Sequence, residues 1–278
     1  MTIDHKRING PEETIPYELF QKLNTKSLTT QFNECSKDGI RKDKRKTDEH
    51  RKIFITTGVV SQAKGSSYIE LGNTKVIVSV FDPREIPNRT DYSLKGEIDC
   101  EFKFAPFSCP KRKLQQQDSE EKHYSAIMKQ ALESAVCRHE FPNFQVDIYA
   151  LVLHNGGSAL SAAIIAAGLA LSHAGVPMYD LITSVTLGLQ NGEKLVDLTL
   201  EEETLCLSPI ADSKSHGIVV LSLLSTHEQV SQFFQTGNLT LEDVVECTHL
   251  LTKACKDIVP LIQKTLAKHV VKNVKESI

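Results

Sequence analysis

The chain has 278 residues, 40% of them apolar and 24% charged, with a net charge of −3. This is the composition of a globular protein with enough length for a sizeable core. It excludes a uniformly basic nucleic-acid binder, so any RNA contact must come from local patches. The start, MTIDHKRINGPEET, carries no hydrophobic signal segment, and no apolar run reaches a membrane span, so cytosol or nucleus is expected and no membrane partner. Seven cysteines form no CxxC pair and ten histidines show no HExxH or HxxxH spacing. Neither a disulfide framework nor a metal site is expected, and no cofactor; the cysteines read as reduced core fillers.

Residues 1 to 35 are polar and weakly patterned, an expected extension in which only Tyr17 to Leu23 (YELFQKL) suggests a short helix or docking segment. Ser36 to Lys52 holds eight lysines and arginines against four acids, which reads equally as a solvated loop or as an RNA contact, since the acids interrupt the run. Strands are then predicted at Ile53 to Ile55, Ser67 to Leu71 and Lys75 to Phe81, with a hairpin turn at Gly72-Asn73. A fourth strand, GEIDCEFKFAPFS, leads to the basic triplet Lys111, Arg112 and Lys113 and a polar loop, LQQQDSEEK. A helix is predicted from about Ser125 to Arg138, with Ile127, Met128, Ala131, Leu132, Ala135 and Val136 on one side.

Val146 to Leu153 reads as a strand buried largely on both faces. Gly156-Gly157-Ser158 then turns into an alanine-rich helix, for which Ser158 is a candidate cap and Gly175 the left-handed stop. A strand, a glycine turn and free helix amides make a ready anion seat, and phosphate is the natural guest. No cation follows the turn, where Ala159, Leu160 and Ser161 come next, so a turn that packs helix closely on sheet is the favoured reading. Beyond Pro177, LITSVTLGLQ and KLVDL pair across Asn191-Gly192, two more strands follow, and Thr240 caps a long C-terminal helix. Its expected buried stripe runs from Leu241, Val244 and Val245 through Leu250, Leu251, Ala254, Ile258, Leu261 and Ile262 to Leu266, with a possible kink at Pro260. The order implies an α+β domain of two βαβ-containing halves, with helices covering one side of mixed sheets.

Several stretches resemble one family in its own order: RKDKRKTDEHRKIFITTGVVSQAKGSSYIELGNTKVIVSVFDPREIP, FKFAPFS, QALESAV, NGGSALSAAIIAAGLALSHAGVPMYDL and VDLTLEEE. Across roughly residues 36 to 272 the chain is similar to the ribonuclease PH superfamily, in its exosome branch. The resemblance implies a ribonuclease PH-like fold (ribosomal protein S5 domain 2-like) over 36 to 272, with residues 273 to 278 as a tail. It also implies a six-membered ring of related subunits around an RNA channel, S1/KH-type cap subunits on one rim, and a place in the nucleus, nucleolus and cytoplasm, in rRNA maturation and RNA turnover.

Active relatives use phosphate to attack the last phosphodiester of an RNA 3′ end, which demands cations or amides to hold the phosphate and an acid for the leaving oxygen. Their glycine turn reads Gly-Gly-Thr-Arg, against Gly156, Gly157, Ser158 and Ala159 here. Their two aspartates fall at Glu203 and Pro209, and Lys44 stands in the glycine place of an RxDGR segment. A degenerate phosphate site is therefore expected, formed by Gly156 to Ala159 and Glu203, and with it a non-catalytic ring subunit. RNA contact would fall to Lys111, Arg112 and Lys113, then to Lys122 and His123. Two alternatives are an active phosphorolytic enzyme using Ser158, Glu203 and Asp212, and a protein-interaction module that does not touch RNA.

Overall fold

The computed structural model describes residues 36–37, 40–86, 92–190, 192–208 and 215–276. The YELFQKL segment and the positions of Asn191, Pro209 and Asp212 lie outside the described residues. Two short strands, β1 (Ser36–Lys37) and β2 (Ile40–Arg41), make an antiparallel ribbon. Period-two patterning then builds a meander of β3 (Ile53–Thr57), β4 (Gly65–Leu71) and β5 (Thr74–Val80). The two-residue β6 (Arg84–Glu85) and β7 (Glu97–Phe104) follow, and β8 (Phe144–His154) gathers the sheet. It pairs antiparallel with β5 and β6 and parallel with β7.

The crossover from β7 to β8 is α1 (Ser119–Glu133), which starts six residues before the predicted Ser125 and ends five before Arg138. The early start has a local cause. The Glu121 carboxylate accepts the Asp118 N–H at 2.9 Å and the Phe104 N–H at 2.9 Å, so the polar stretch expected to be loop is wound into the first turn. After Glu133 the chain leaves the helix, Val136 bridges to Met178, and Arg138–Glu140 forms a separate 3₁₀ turn. The predicted apolar face, Ile127 through Val136, is buried as expected.

A second sheet has the order β10-β9-β11-β12, from β9 (Ile182–Gln190), β10 (Glu193–Val196), β11 (His216–Leu224) and β12 (Gln229–Asn238). Gln190 faces Glu193 across the two-residue turn the sequence predicted. Because β10 and β11 both run antiparallel to β9, they are parallel to each other, joined by α3 (Leu200–Leu207). Each half thus contains a βαβ unit, as expected, although no helix was predicted after the KLVDL strand, where α3 lies.

The central helix, α2 (Ala159–Ala174), departs from the expectation that helices cover one side of the sheets: it lies between them, against β4 and β5 on one side and β9 on the other. Every residue from Ala159 to Leu171 is buried. Small residues make this close approach possible. A Cβ on Gly65 would sit 2.2 Å from the Ala170 carbonyl oxygen, and one on Gly168 would sit 2.5 Å from Ile182 Cγ2. Since α2 covers only one face of β8, that strand is not buried on both: Val146, Ile148, Ala150 and Val152 are internal, while Tyr149 and Leu151 are exposed.

The C-terminal α4 (Leu241–Glu276) begins where Thr240 Oγ1 accepts the Asp243 N–H at 3.3 Å, passes through Pro260, and runs across the division expected at residue 272. Leu251, Ala254, Ile258 and Ile262 are buried as predicted, together with Cys247 and Cys255. Leu241, Val245 and Leu261 of the expected stripe are exposed instead, because at 100° per residue they fall to the sides of the face marked by Cys247, Leu251, Ala254, Cys255, Ile258 and Ile262. No disulfide forms among the described cysteines, and no helix among the described residues is long and apolar enough to cross a membrane.

Candidate functional site

The glycine turn joins β8 to α2, and its shape answers a packing demand. Gly157 holds φ +94°, and a Cβ there would lie 2.5 Å from the Thr199 carbonyl carbon. Ser158, though not a glycine, holds φ 54°. It occupies the cap position of α2 without capping it: its hydroxyl donates to the Leu198 carbonyl at 3.1 Å. Leu200 N–H donates to the Gly156 carbonyl at 3.0 Å, so the turn is stitched to the connection between β10 and α3. At the far end of the helix, Gly175 is left-handed (φ 76°) as predicted.

A cation does serve this turn, but from a distant part of the sequence. Arg51 donates to the carbonyl oxygens of Gly156 (3.0 Å) and Gly157 (3.1 Å) and to Thr74 Oγ1 (3.2 Å). Its Nε and Nη2 grip the two oxygens of Asp197 at 2.9 and 2.6 Å. All five guanidinium N–H groups are thereby used inside the protein. Burial alone would raise the Asp197 carboxyl, but the Arg51 hydrogen bonds and charge overcome it and hold the group below the usual carboxylate range.

The basic run, which reads equally as a solvated loop or an RNA contact, is divided: Lys42, Lys44, Lys46 and Lys52 are exposed, and the arginines are drawn into this cluster. Arg41, Arg45 and Arg51 are buried. Arg41 Nη2 donates to the Thr47 carbonyl at 2.9 Å and Nη1 to that of Asp197 at 3.1 Å, while Arg45 Nη1 donates to the Asp197 carbonyl at 3.2 Å. Lys44, in the glycine place of the RxDGR segment, keeps the left-handed backbone (φ 67°).

Beside the turn lies a cavity of about 210 Å³, lined among others by Phe104, Glu120, Tyr124, Ser158, Ala159 and Glu203. Among the described residues, no lysine, arginine or histidine lines it. Glu203 is brought to the turn as the sequence motif implies. Its carboxyl is pushed up, first by burial and then by the neighbouring Glu120, while the Ser158 amide draws it partly back down. The amide that would hold a phosphate therefore faces the chain's own carboxylate. The Tyr124 phenol is also pushed up, by burial and then by Glu203 and Glu120. Of the two carboxylates, Glu120 is met by the Lys113 ammonium at 3.1 Å, so it is Glu203, seated on the Ser158 amide, that opposes an oxyanion there.

The candidate RNA residues separate into two kinds. Lys111 and Arg112 are exposed on the loop after β7. Lys113 is turned inward: its ammonium contacts Asp118 and Glu120, each at 3.1 Å, and lies 5.3 Å from the centre of the Phe104 ring. Lys122 is exposed on α1, and His123 meets the Phe234 ring edge-on at 5.3 Å. Arg51 and Asp197 are the site residues that sequence reading missed. No local pattern marks them, whereas for α3 a signal was available in the Thr199-x-x-Glu202 capping box, whose Glu202 accepts the Thr199 N–H at 2.8 Å.

Comparison with known proteins agrees with this architecture. Residues 49–177 match the model of the 3′ exoribonuclease family, domain 1 (RNase PH). The human exosome complex component MTR3 is 34% identical over 287 aligned residues, covering 95% of this chain and 95% of that protein. The start, DHKRINGPEE, also resembles the Mtr-three subunit (exosome component six), though it lies outside the described residues. Among solved structures, rice Rrp46 superposes with a TM-score of 0.68 at 25% identity, covering 81% of this chain and 100% of that one. An Archaeoglobus fulgidus exosome with RNA bound to the active site superposes with a TM-score of 0.72 at 21% identity, covering 84% of this chain and 96% of that one, which is a likeness of fold. With its motifs in family order, its paired βαβ halves and a relative of this identity along nearly its whole length, the chain belongs to the RNase PH family.

Proposed function

We propose that this chain is a non-catalytic ring subunit of an RNA exosome, of the MTR3 type, which supports 3′-to-5′ RNA processing by assembly and by guiding RNA. In this reading residues 36 to 272 form the ring module, between an N-terminal extension (1 to 35) and a short tail. Its neighbours are other RNase PH-like subunits in a six-membered ring with S1/KH-type caps, in the nucleus, nucleolus and cytoplasm. The observation that carries the loss of catalysis is the cavity at Ser158. Glu203 takes up the Ser158 amide there, Lys113 is held by Asp118 and Glu120, and Arg51, which grips the turn, spends every donor on the fold, so among the described residues no cation is left for a phosphate at the turn. Phosphoryl transfer depends on fixed positive charge around the reacting phosphate, so the degenerate site of Gly156, Gly157, Ser158, Ala159 and Glu203 acts as architecture. RNA contact falls to Lys111 and Arg112, with Lys122 and His123 farther along α1.

The test is native mass spectrometry of the tagged chain purified from its own cells at moderate salt, with phosphate-dependent decay assayed on this chain in a reconstituted ring. A stoichiometric multi-subunit assembly in which this chain releases no nucleoside diphosphate is expected. A free chain or self-ring that releases nucleoside diphosphates from RNA overturns the reading.

A further inference from the structure

Phe107 is 64% exposed, yet the backbone around it is tied down by hydrogen bonds. Ala105 and Ser108 on either side are buried. Ala105 N–H donates to the Val152 carbonyl at 2.9 Å, and Asn155 N–H donates to the Ser108 carbonyl at 3.0 Å, which anchors the segment to β8 and the glycine turn. Between these anchors a tight turn closes as Ser108 N–H and Oγ both reach the Ala105 carbonyl, at 2.9 and 2.7 Å. The chain then returns, and Lys113 N–H donates to the Pro106 carbonyl at 3.3 Å. Phe107, Lys111 and Arg112 are thus held on one hydrogen-bonded loop.

A phenyl ring fixed in water gives up burial that a core position would provide, and folding does not require it there. Its position suggests a partner with a flat face. Phe107 forms part of the wall of an open groove of about 1060 Å³, which Asn73, His154, Asn155 and Lys52 also line. Three carboxylates reach this groove, and each is matched within the protein: Glu201 by Lys42 (2.7 Å), Asp43 by Arg45, and Glu202 by the Thr199 amide. Among the described residues, Lys52 on the groove wall and Lys111 and Arg112 on the loop that carries Phe107 are exposed cations. An exposed aromatic face on a tied loop that also carries cations is what single-stranded nucleic acid uses, the base on the ring and the phosphates on the cations.

We propose that Phe107 is a stacking platform for one base of single-stranded RNA, while Lys111 and Arg112 on the same loop hold the adjoining phosphates. The inference rests on the RNA-guiding reading above and adds to it a residue that binds through its ring and not its charge.

The experiment measures oligouridylate binding, across a salt series, by the complex purified through the tagged full-length chain. It compares wild type with Phe107→Ala, Phe107→Leu, Phe107→Trp and the double variant Lys111→Ala/Arg112→Ala. A lost stacking contact should weaken binding by about tenfold in Phe107→Ala with the salt slope unchanged. Phe107→Leu, apolar but without a π-face, should behave like alanine, and Phe107→Trp should bind at least as well as wild type. The double variant should weaken binding and flatten the slope by about 1.4, at ~0.7 per phosphate. Wild-type affinity in Phe107→Ala, together with a weakened double variant, overturns the platform and leaves the RNA reading standing. Absence of RNA binding by the wild-type complex overturns both. Dissociation of the complex in Phe107→Ala with RNA affinity intact overturns the platform in favour of a protein contact.

Discussion

Arg51 and Asp197, separated by 146 residues in sequence, meet in a buried two-pronged ion pair that also clamps the glycine turn. Breaking such a pair leaves an uncompensated buried charge. Arg51→Ala should therefore lower the free energy of unfolding by about 3–5 kcal/mol. Arg51→Lys keeps the charge and loses the fork, and should fall between alanine and wild type. Urea denaturation of the three proteins checks the order; equal midpoints would show that the pair contributes nothing.

The same pair sets an acid limit. The folded Asp197 carboxyl is held low, so its contribution is present above the unfolded value of about 4 and is lost as pH falls through the folded value. Unfolding free energy should drop below about pH 4, and the drop should be shallower in Asp197→Asn, already destabilised at neutral pH. Denaturant titrations between pH 7 and 2.5 give both slopes.

Two glycines with similar backbone angles should respond differently to alanine. Gly157 (φ +94°) has backbone atoms 2.5–2.6 Å from where a Cβ would stand, whereas Gly192 (φ +83°) has nothing within 4 Å. Gly192→Ala should cost about 1 kcal/mol, the strain of a left-handed residue alone. Gly157→Ala must also push the turn off the 198–200 connection and should cost several times more. Thermal melts of both variants, measured side by side, decide it.

The end of α4 should loosen in mild acid. His173 Nδ1 accepts the Ser66 N–H at 3.1 Å, which leaves the proton on Nε2 to bond His269 Nε2 at 3.2 Å. Burial and then His269 lower the His173 value, so the neutral form is favoured. Its contribution is complete above the unfolded value of about 6.5 and declines as pH falls below it. Amide exchange in the last turns of α4, corrected for intrinsic rate, should be faster at pH 5.5 than at pH 7.5, and His173→Phe should abolish the difference.

Restoring one family residue should not restore catalysis. Ala159→Arg would place a guanidinium in a cavity where Glu120 and Glu203 compete for it. Phosphate-dependent release of nucleoside diphosphates should stay at background in this variant, and measurable release would mean that charge at residue 159 is the sole deficit.

Strand and helix patterning in the sequence was enough for both sheets, for the hairpin between Gln190 and Glu193 and for the left-handed stop at Gly175. Those features depend on neighbours a few residues apart. The start of α1 was misplaced because Glu121 bonds Phe104, seventeen residues back, which no local pattern states. The site was half legible: motif spacing placed Glu203 at Ser158, yet the arginine that grips the turn was hidden in a charge run. A buried arginine and a solvated one look alike until the carbonyls they reach are known, and Gly156 lies 105 residues beyond Arg51. Lys113 shows the opposite error, since a basic triplet does not reveal that its third member bends back to Asp118 and Glu120.

The clasp between Arg51 and Asp197 also imposes an order on synthesis. At a ribosomal rate of 5–20 residues per second, the carboxylate emerges roughly 7–30 s after the guanidinium. Throughout that interval the nascent chain displays Arg41, Arg45 and Arg51 without the second half of the domain that will bury them. Three unburied guanidinium groups waiting beside ribosomal RNA are open to premature, nonspecific contact. Completion of the domain withdraws those three charges from view, so the arginines a nascent chain offers are not the cations the finished particle presents.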